Sequence, residues 1–137
     1  MELTRHHIRE LAFQTLFALN TNEQTDWKDF YQVLTDGQYG DEYPSYLHQL
    51  IAGVLEHKSE IDQMIEKYLI SGWSLNRIAK TDLIIIEIAL YEMMYVDDLP
   101  AKVSINEAIE LAKKYSDDRS RKFVNGILSH ALEELVK

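Results

Sequence analysis

From residue 8 to residue 19, apolar side chains return every three or four positions. Ile8, Leu11, Ala12, Leu16 and Leu19, with Thr15 among them, fall on one face of a helix. The same period organises the end of the chain, where Val124, Ile127, Leu128, Ala131, Leu132 and Leu135 make a single stripe. Between these two, the pattern predicts a helix over 27–35, helices over 44–57 and 59–70, and a break at Gly72. The stretch DGQYGDEYP, residues 36–44, is rich in turn residues and acids and reads as a loop. Asp82 to Tyr95 is apolar almost all round, which predicts a central helix enclosed by its neighbours rather than a strand. After Pro100, Ser104 and Glu107 stand at capping-box spacing and open a helix through Tyr115. The fold class is all-α, with about seven helices in one domain spanning 1–137.

Two aromatics break the pattern of the first helix. With the apolar stripe centred near Ile8 and Leu19, Phe13 and Phe17 lie roughly 130° and 170° away at 100° per residue. Either this helix is packed on two sides, or the pair forms an exposed aromatic patch of the kind that meets a partner.

Charge adds a second irregularity. The 137 residues carry a net charge of −9, and residues 26–66 alone hold nine acids against two lysines. Yet Lys113, Lys114, Arg119, Arg121 and Lys122 crowd into ten positions, and with Asp117 and Asp118 they leave a local charge of +3. Phe123 follows at once. Cations beside an aromatic, at the opening of a helix whose N–H groups favour anions, suit single-stranded nucleic acid, which needs phosphate neutralisation and a stacking surface. The competing reading is a solvated charged loop, with Phe123 packed at the edge of the core.

Catalytic chemistry is not legible. The chain has no phosphate loop, nucleophile elbow or HExxH, and its five histidines lack ligand spacing with one another. Asp97–Asp98 and Asp117–Asp118 stand at helix boundaries, where aspartate caps and turns. No enzyme activity, metal or cofactor is expected. With no cysteine there is no disulfide framework. The opening MELTRHHIRE has no apolar signal core, and apolar runs such as Leu83 to Ile86 are too short to span a bilayer. A cytoplasmic protein without a membrane partner is expected.

Three segments in order carry a resemblance. VSINEAIELAKKY followed by SRKFVNGIL (103–128), RIAKTDLIIIEIALYEM (77–93) and RELAFQTLF (9–17) resemble the signature of the NusB family of transcription antitermination factors. The resemblance implies two three-helix units packed across each other. It also implies a partner, NusE (a small-subunit ribosomal protein), and joint binding of boxA-type single-stranded RNA. The pair would help an RNA polymerase antitermination complex read through terminators in ribosomal RNA operons. Carried over by position, the RNA-binding residues would be Arg5, His6, His7 and Arg9 on the first helix, with Arg121, Lys122 and Phe123 opening the last. The partner-binding residues would be Phe17, Tyr68 and Asp82. His6 and His7 stand where the family favours arginine, and Glu87 stands where it usually has one.

Two rival readings come from other classes. One is a purely protein-binding helical adaptor with incidental RNA contact, which the net charge of −9 favours. The other is the accessory domain of an RNA-modifying enzyme. It is disfavoured by a chain with no cofactor motif and no room for a catalytic domain.

Overall fold

The computed structural model describes residues 3–135, and among them every regular element is helical. In chain order these are α1 (Arg5–Thr21), α2 (Trp27–Thr35), α3 (Ser45–Glu56), α4 (Lys58–Lys67), a single 3-10 turn at Leu75–Arg77, α5 (Lys80–Tyr95), α6 (Ala101–Tyr115) and α7 (Asp118–Leu135). This is the all-α class with seven α-helices. Contacts divide the chain into two compact units, Met1–Gly53 and Val54–Lys137.

In the first unit, Thr4 caps α1 by accepting a 3.1 Å hydrogen bond from the His7 N–H. Ile8, Leu11, Ala12, Thr15 and Leu16 are buried as the periodicity requires. Phe13 is buried too, at 3% exposure, whereas Phe17 is 39% exposed. The two aromatics therefore have different fates: α1 is enclosed on two flanks over its middle turns, and Phe17 is exposed one turn beyond Phe13. Asp26 caps α2, accepting 3.0 Å bonds from the N–H groups of Lys28 and Asp29. That helix ends at Asp36 in the left-handed region (φ 54°), with Gly37 continuing it (φ 67°).

In the second unit, α5 packs on α4, α6 and α7, and α6 packs on α7. Every residue of α5 from Asp82 to Glu92 is buried. A helix with no polar face has to be a hub, and this one is. One helix start differs from expectation. Pro100, whose ring presets φ near −61°, is the N-terminal boundary of α6, so Ser104 lies inside the helix and is 1% exposed. The capping-box spacing of Ser104 and Glu107 is therefore coincidental. At α7, Asp117 accepts a 2.9 Å bond from the Ser120 N–H, and the helix begins well before its apolar stripe. The α4 helix ends at Lys67, three residues short of expectation, and the chain turns through Gly72 at φ 92°, a conformation that glycine adopts readily.

No helix among the described residues is long and apolar enough to cross a membrane.

Candidate nucleic-acid interface

The basic cluster of the second unit lies on ordered helix. Because α7 begins at Asp118, Arg119 and Arg121 belong to its first turn, and Lys122 and Phe123 follow in the next. Arg121 forms an ion pair with Asp118 one turn back, which offsets part of its charge. Lys122 is exposed and forms no ion pair among the described residues. Lys113 pairs with Glu110 at 3.5 Å. Lys122 is thus available to an outside anion, as is the exposed Arg119 in the first turn.

Phe123 is half-buried. It lines one wall of a hollow of about 300 Å³ between α7 and the turn that follows α4. Tyr68, Ile70, Trp73, Lys122 and His130 share that hollow. Ile70 and Trp73 are 78% and 49% exposed, unusual for side chains of this size. Tyr68 is fixed in place. Its ring stacks on His130 at 5.8 Å, and its hydroxyl donates to Glu134, which also takes a 2.5 Å bond from Lys67. Burial first, and then that bond to Glu134, push the Tyr68 phenol up to about 12, so it remains a donor at neutral pH. Lys67 and then Tyr68 hold the Glu134 carboxyl below its ordinary value.

Asp82, expected among the partner-binding residues, is largely enclosed in the second unit. It is 6% exposed, and its two carboxylate oxygens accept from Ser116 Oγ at 3.2 Å and Ser120 Oγ at 2.8 Å. These serines flank the junction of α6 and α7. Asp82 therefore ties the first turn of α5 to the segment that presents the cations.

In the first unit, Arg5 and His6 are exposed and His7 is half-buried. The Arg5 guanidinium sits 4.2 Å from the centroid of the Tyr46 ring, and His7 meets Tyr39 edge-on at 5.9 Å. The first turn of α1 contains no acid. Positive side chains at a helix N-terminus oppose the helix dipole, so their placement gains nothing for the helix itself. Together with the N–H groups there, they suit an anion. Arg9 is different. At 3% exposure it is buried on the same flank as Phe13, and it is not a surface cation.

Of the residues expected to bind RNA, Lys122 and Phe123 share one hollow with Tyr68, a residue expected at the partner surface, while Arg121 lies beside Lys122 in a second, of about 290 Å³, that also includes Asp118 and Asn125. Trp73 and His130 are additions that the sequence pattern does not single out. An exposed tryptophan directly after a turn glycine is the signal available for the first; His130, on the flank of the α7 stripe, gives none. Among the described residues no group of three or more metal-ligating side chains occurs.

Comparison with known proteins gives a consistent picture. The model of the NusB family matches residues 6–133. The transcription antitermination protein NusB of Levilactobacillus brevis is 56% identical over 136 residues, covering 98% of this chain and 96% of the relative. Among solved structures, T. maritima NusB superposes with a TM-score of 0.85 at 35% identity, covering 98% of this chain and 94% of that one. A crystal structure of antitermination factors NusB and NusE in complex with dsRNA has the same fold, with a TM-score of 0.77 at 22% identity over 96% of this chain and 99% of the other.

Proposed function

The chain belongs to the NusB family, and from that premise we propose that it binds boxA-type single-stranded RNA together with NusE. In this role it joins an RNA polymerase antitermination complex on ribosomal RNA operons. It is a cytoplasmic transcription antitermination factor, not an enzyme.

The observation that carries the RNA reading is local. In a chain of net charge −9, one exposed lysine and one half-buried aromatic stand side by side at the opening of α7, and line one hollow. That is the minimum equipment for single-stranded RNA: a cation for the phosphate and a ring for the base. Arg5, His6 and His7 supply a second basic element in the first unit. With so few cations, binding by this protein alone is weak and tightens when NusE adds its own surface.

Filter-binding titrations with a boxA-like oligonucleotide over a range of salt concentrations test this. Removing one cation that neutralises a phosphate lowers the salt slope by roughly 0.7 for a single strand. Lys122→Ala is expected to weaken binding and lower the slope by about that amount. Arg121→Ala has a smaller effect, because Asp118 already offsets its charge. Phe123→Ala weakens binding by about 1–3 kcal/mol with the slope unchanged, since stacking releases no counterions. Wild-type affinity and slope in the Lys122 and Arg121 variants would leave the protein-adaptor reading, which the net charge favours, in possession.

The NusE surface is assigned to the end of α1 that Phe17 exposes. The Phe17 ring stands 6.2 Å from that of buried Phe13, so its inner edge is anchored while its outer face is available. Phe17→Asp is expected to keep wild-type helicity by circular dichroism and to weaken association with NusE by more than about 1.4 kcal/mol, a factor of ten. Undiminished association in a folded variant removes Phe17 from that surface.

A further inference from the structure

We propose that the hollow between the 68–73 turn and α7 is a receptor for one unstacked nucleobase, with Trp73 as a stacking wall in addition to Phe123. The inference rests on the RNA reading above and adds to it a specific occupant and a residue far from the basic cluster in sequence.

Size and chemistry select the occupant. At about 300 Å³ the hollow lies at the small end of the range for small-molecule pockets, roughly 300–1,000 Å³. It accommodates a single ring system and has no length for a helix or strand of a partner protein. Its walls are aromatic and aliphatic: Phe123 from α7, and Ile70 and Trp73 from the turn. Its one permanent cation is Lys122. An aromatic slot with a single cation matches a nucleotide, whose base is a flat π surface and whose phosphate carries one negative charge.

Two further features support this. Lys122 also lines the neighbouring hollow of about 290 Å³, beside Arg121 and Asn125, so the surface continues past the lysine onto polar ground. A phosphate held at Lys122 thus has an apolar receptor on one side and, on the other, Asn125 and Arg121, the latter paired with the Asp118 carboxylate that also lines that hollow. The aromatic hollow is also braced before any ligand arrives. The stack of Tyr68 on His130 and the Tyr68–Glu134–Lys67 bonds fix one side of it, so little ordering is left to do on binding. Meanwhile Trp73 is 49% exposed, a large aromatic surface that the described residues leave half uncovered.

The experiment uses the full chain, a single-stranded boxA-like oligonucleotide, and NusE present or absent. Trp73→Ala is expected to weaken RNA binding about tenfold or more with an unchanged salt slope, and Trp73→Phe to restore most of the loss. The chain has two tryptophans, so Trp27→Phe leaves Trp73 as the only one, and its fluorescence should be quenched on adding RNA. This quench decides the matter even if Trp73→Ala fails to fold. Several results overturn the proposal. Unchanged RNA affinity in folded Trp73→Ala, with Lys122→Ala still weakened, leaves the RNA reading standing and removes the base receptor. Loss of NusE association without RNA, at unaltered RNA affinity, makes the hollow a protein subsite. An absent quench with RNA bound excludes stacking on Trp73. Failure of the wild-type protein to bind the RNA even with NusE takes down both this proposal and the reading beneath it.

Discussion

Ile85→Ala is expected to destabilise the protein by about 2–5 kcal/mol, the range for removing a large aliphatic side chain from a core that collapses only in part. Ile85 has no exposed surface, and around it Ile86, Ile88 and Leu90 are 0–2% exposed. Because α5 packs on α4, α6 and α7, a cavity at its centre weakens packing against several helices at once. Ile88→Ala should fall in the same range. Val103→Ala is the control. Val103 is 39% exposed on α6, and its truncation should stay within about 0.5 kcal/mol. The measurement is urea denaturation followed by circular dichroism. Midpoints of the Ile85 and Ile88 variants no lower than that of the Val103 variant would mean that α5 is not the hub described.

That hub is the most legible part of the sequence. A run with no polar face has one stable home, and the single stripe of α7 leaves equally little freedom. What the pattern does not settle is the second side of α1. One apolar stripe defines one buried face, yet Phe13 and Arg9 are buried off that stripe, while Phe17, one turn from Phe13, is not. Helical spacing alone cannot say where along a helix a second face closes. The start of α6 differs from expectation because Ser104 and Glu107 have the right spacing, whereas the ring of Pro100 sets the boundary first. Resemblance makes Asp82 a partner residue, whereas its bonds to Ser116 and Ser120, more than thirty positions on, are legible only in the structure. The aromatic hollow is hidden for the same reason. Its walls come from 68–73 and 122–130, and no local pattern links them.

Glu87 is visible as an anomaly, a lone acid within the most apolar stretch of the chain, but its partners are not. Lys58, at the start of α4, reaches Glu87 Oε2 at 2.9 Å and Asp62 Oδ2 at 3.0 Å. Two carboxyls thus share one ammonium group. Glu87 is 3% exposed. Burial first, and then a hydrogen bond with Asp62, raise its carboxyl from the ordinary 4.5 to about 8, against the pull of Lys58. Burial works against charge on Lys58 as well, but its bonds to the two carboxyls outweigh that, and its value is raised on balance. Asp62 Oδ1 is buried with no hydrogen-bond donor, and a proton on Glu87 supplies one. At neutral pH the Glu87 carboxyl therefore keeps its proton beside the Lys58 ammonium.

The consequence is a pH dependence of definite sign. Between pH 4.5 and about 8 the folded protein keeps a proton on Glu87 that the unfolded chain has released. Stability from this group is fully present below the lower value and is lost as pH rises toward and through the upper one. The slope reaches at most about 1.4 kcal/mol per pH unit. Glu87→Gln keeps the shape and the donor but cannot ionise. Its stability is expected to vary less with pH than that of the parent between pH 5 and 8, and above pH 8 the variant should be the more stable of the two. Urea denaturation of both proteins at pH 5.5, 7 and 8.5 measures the difference directly, since all other titrating groups are common to both. Parallel curves, with no change in their separation across this range, would show that Glu87 is ionised throughout. In that case Lys58 would neutralise it as an ordinary ion pair, and no proton would be shared with Asp62.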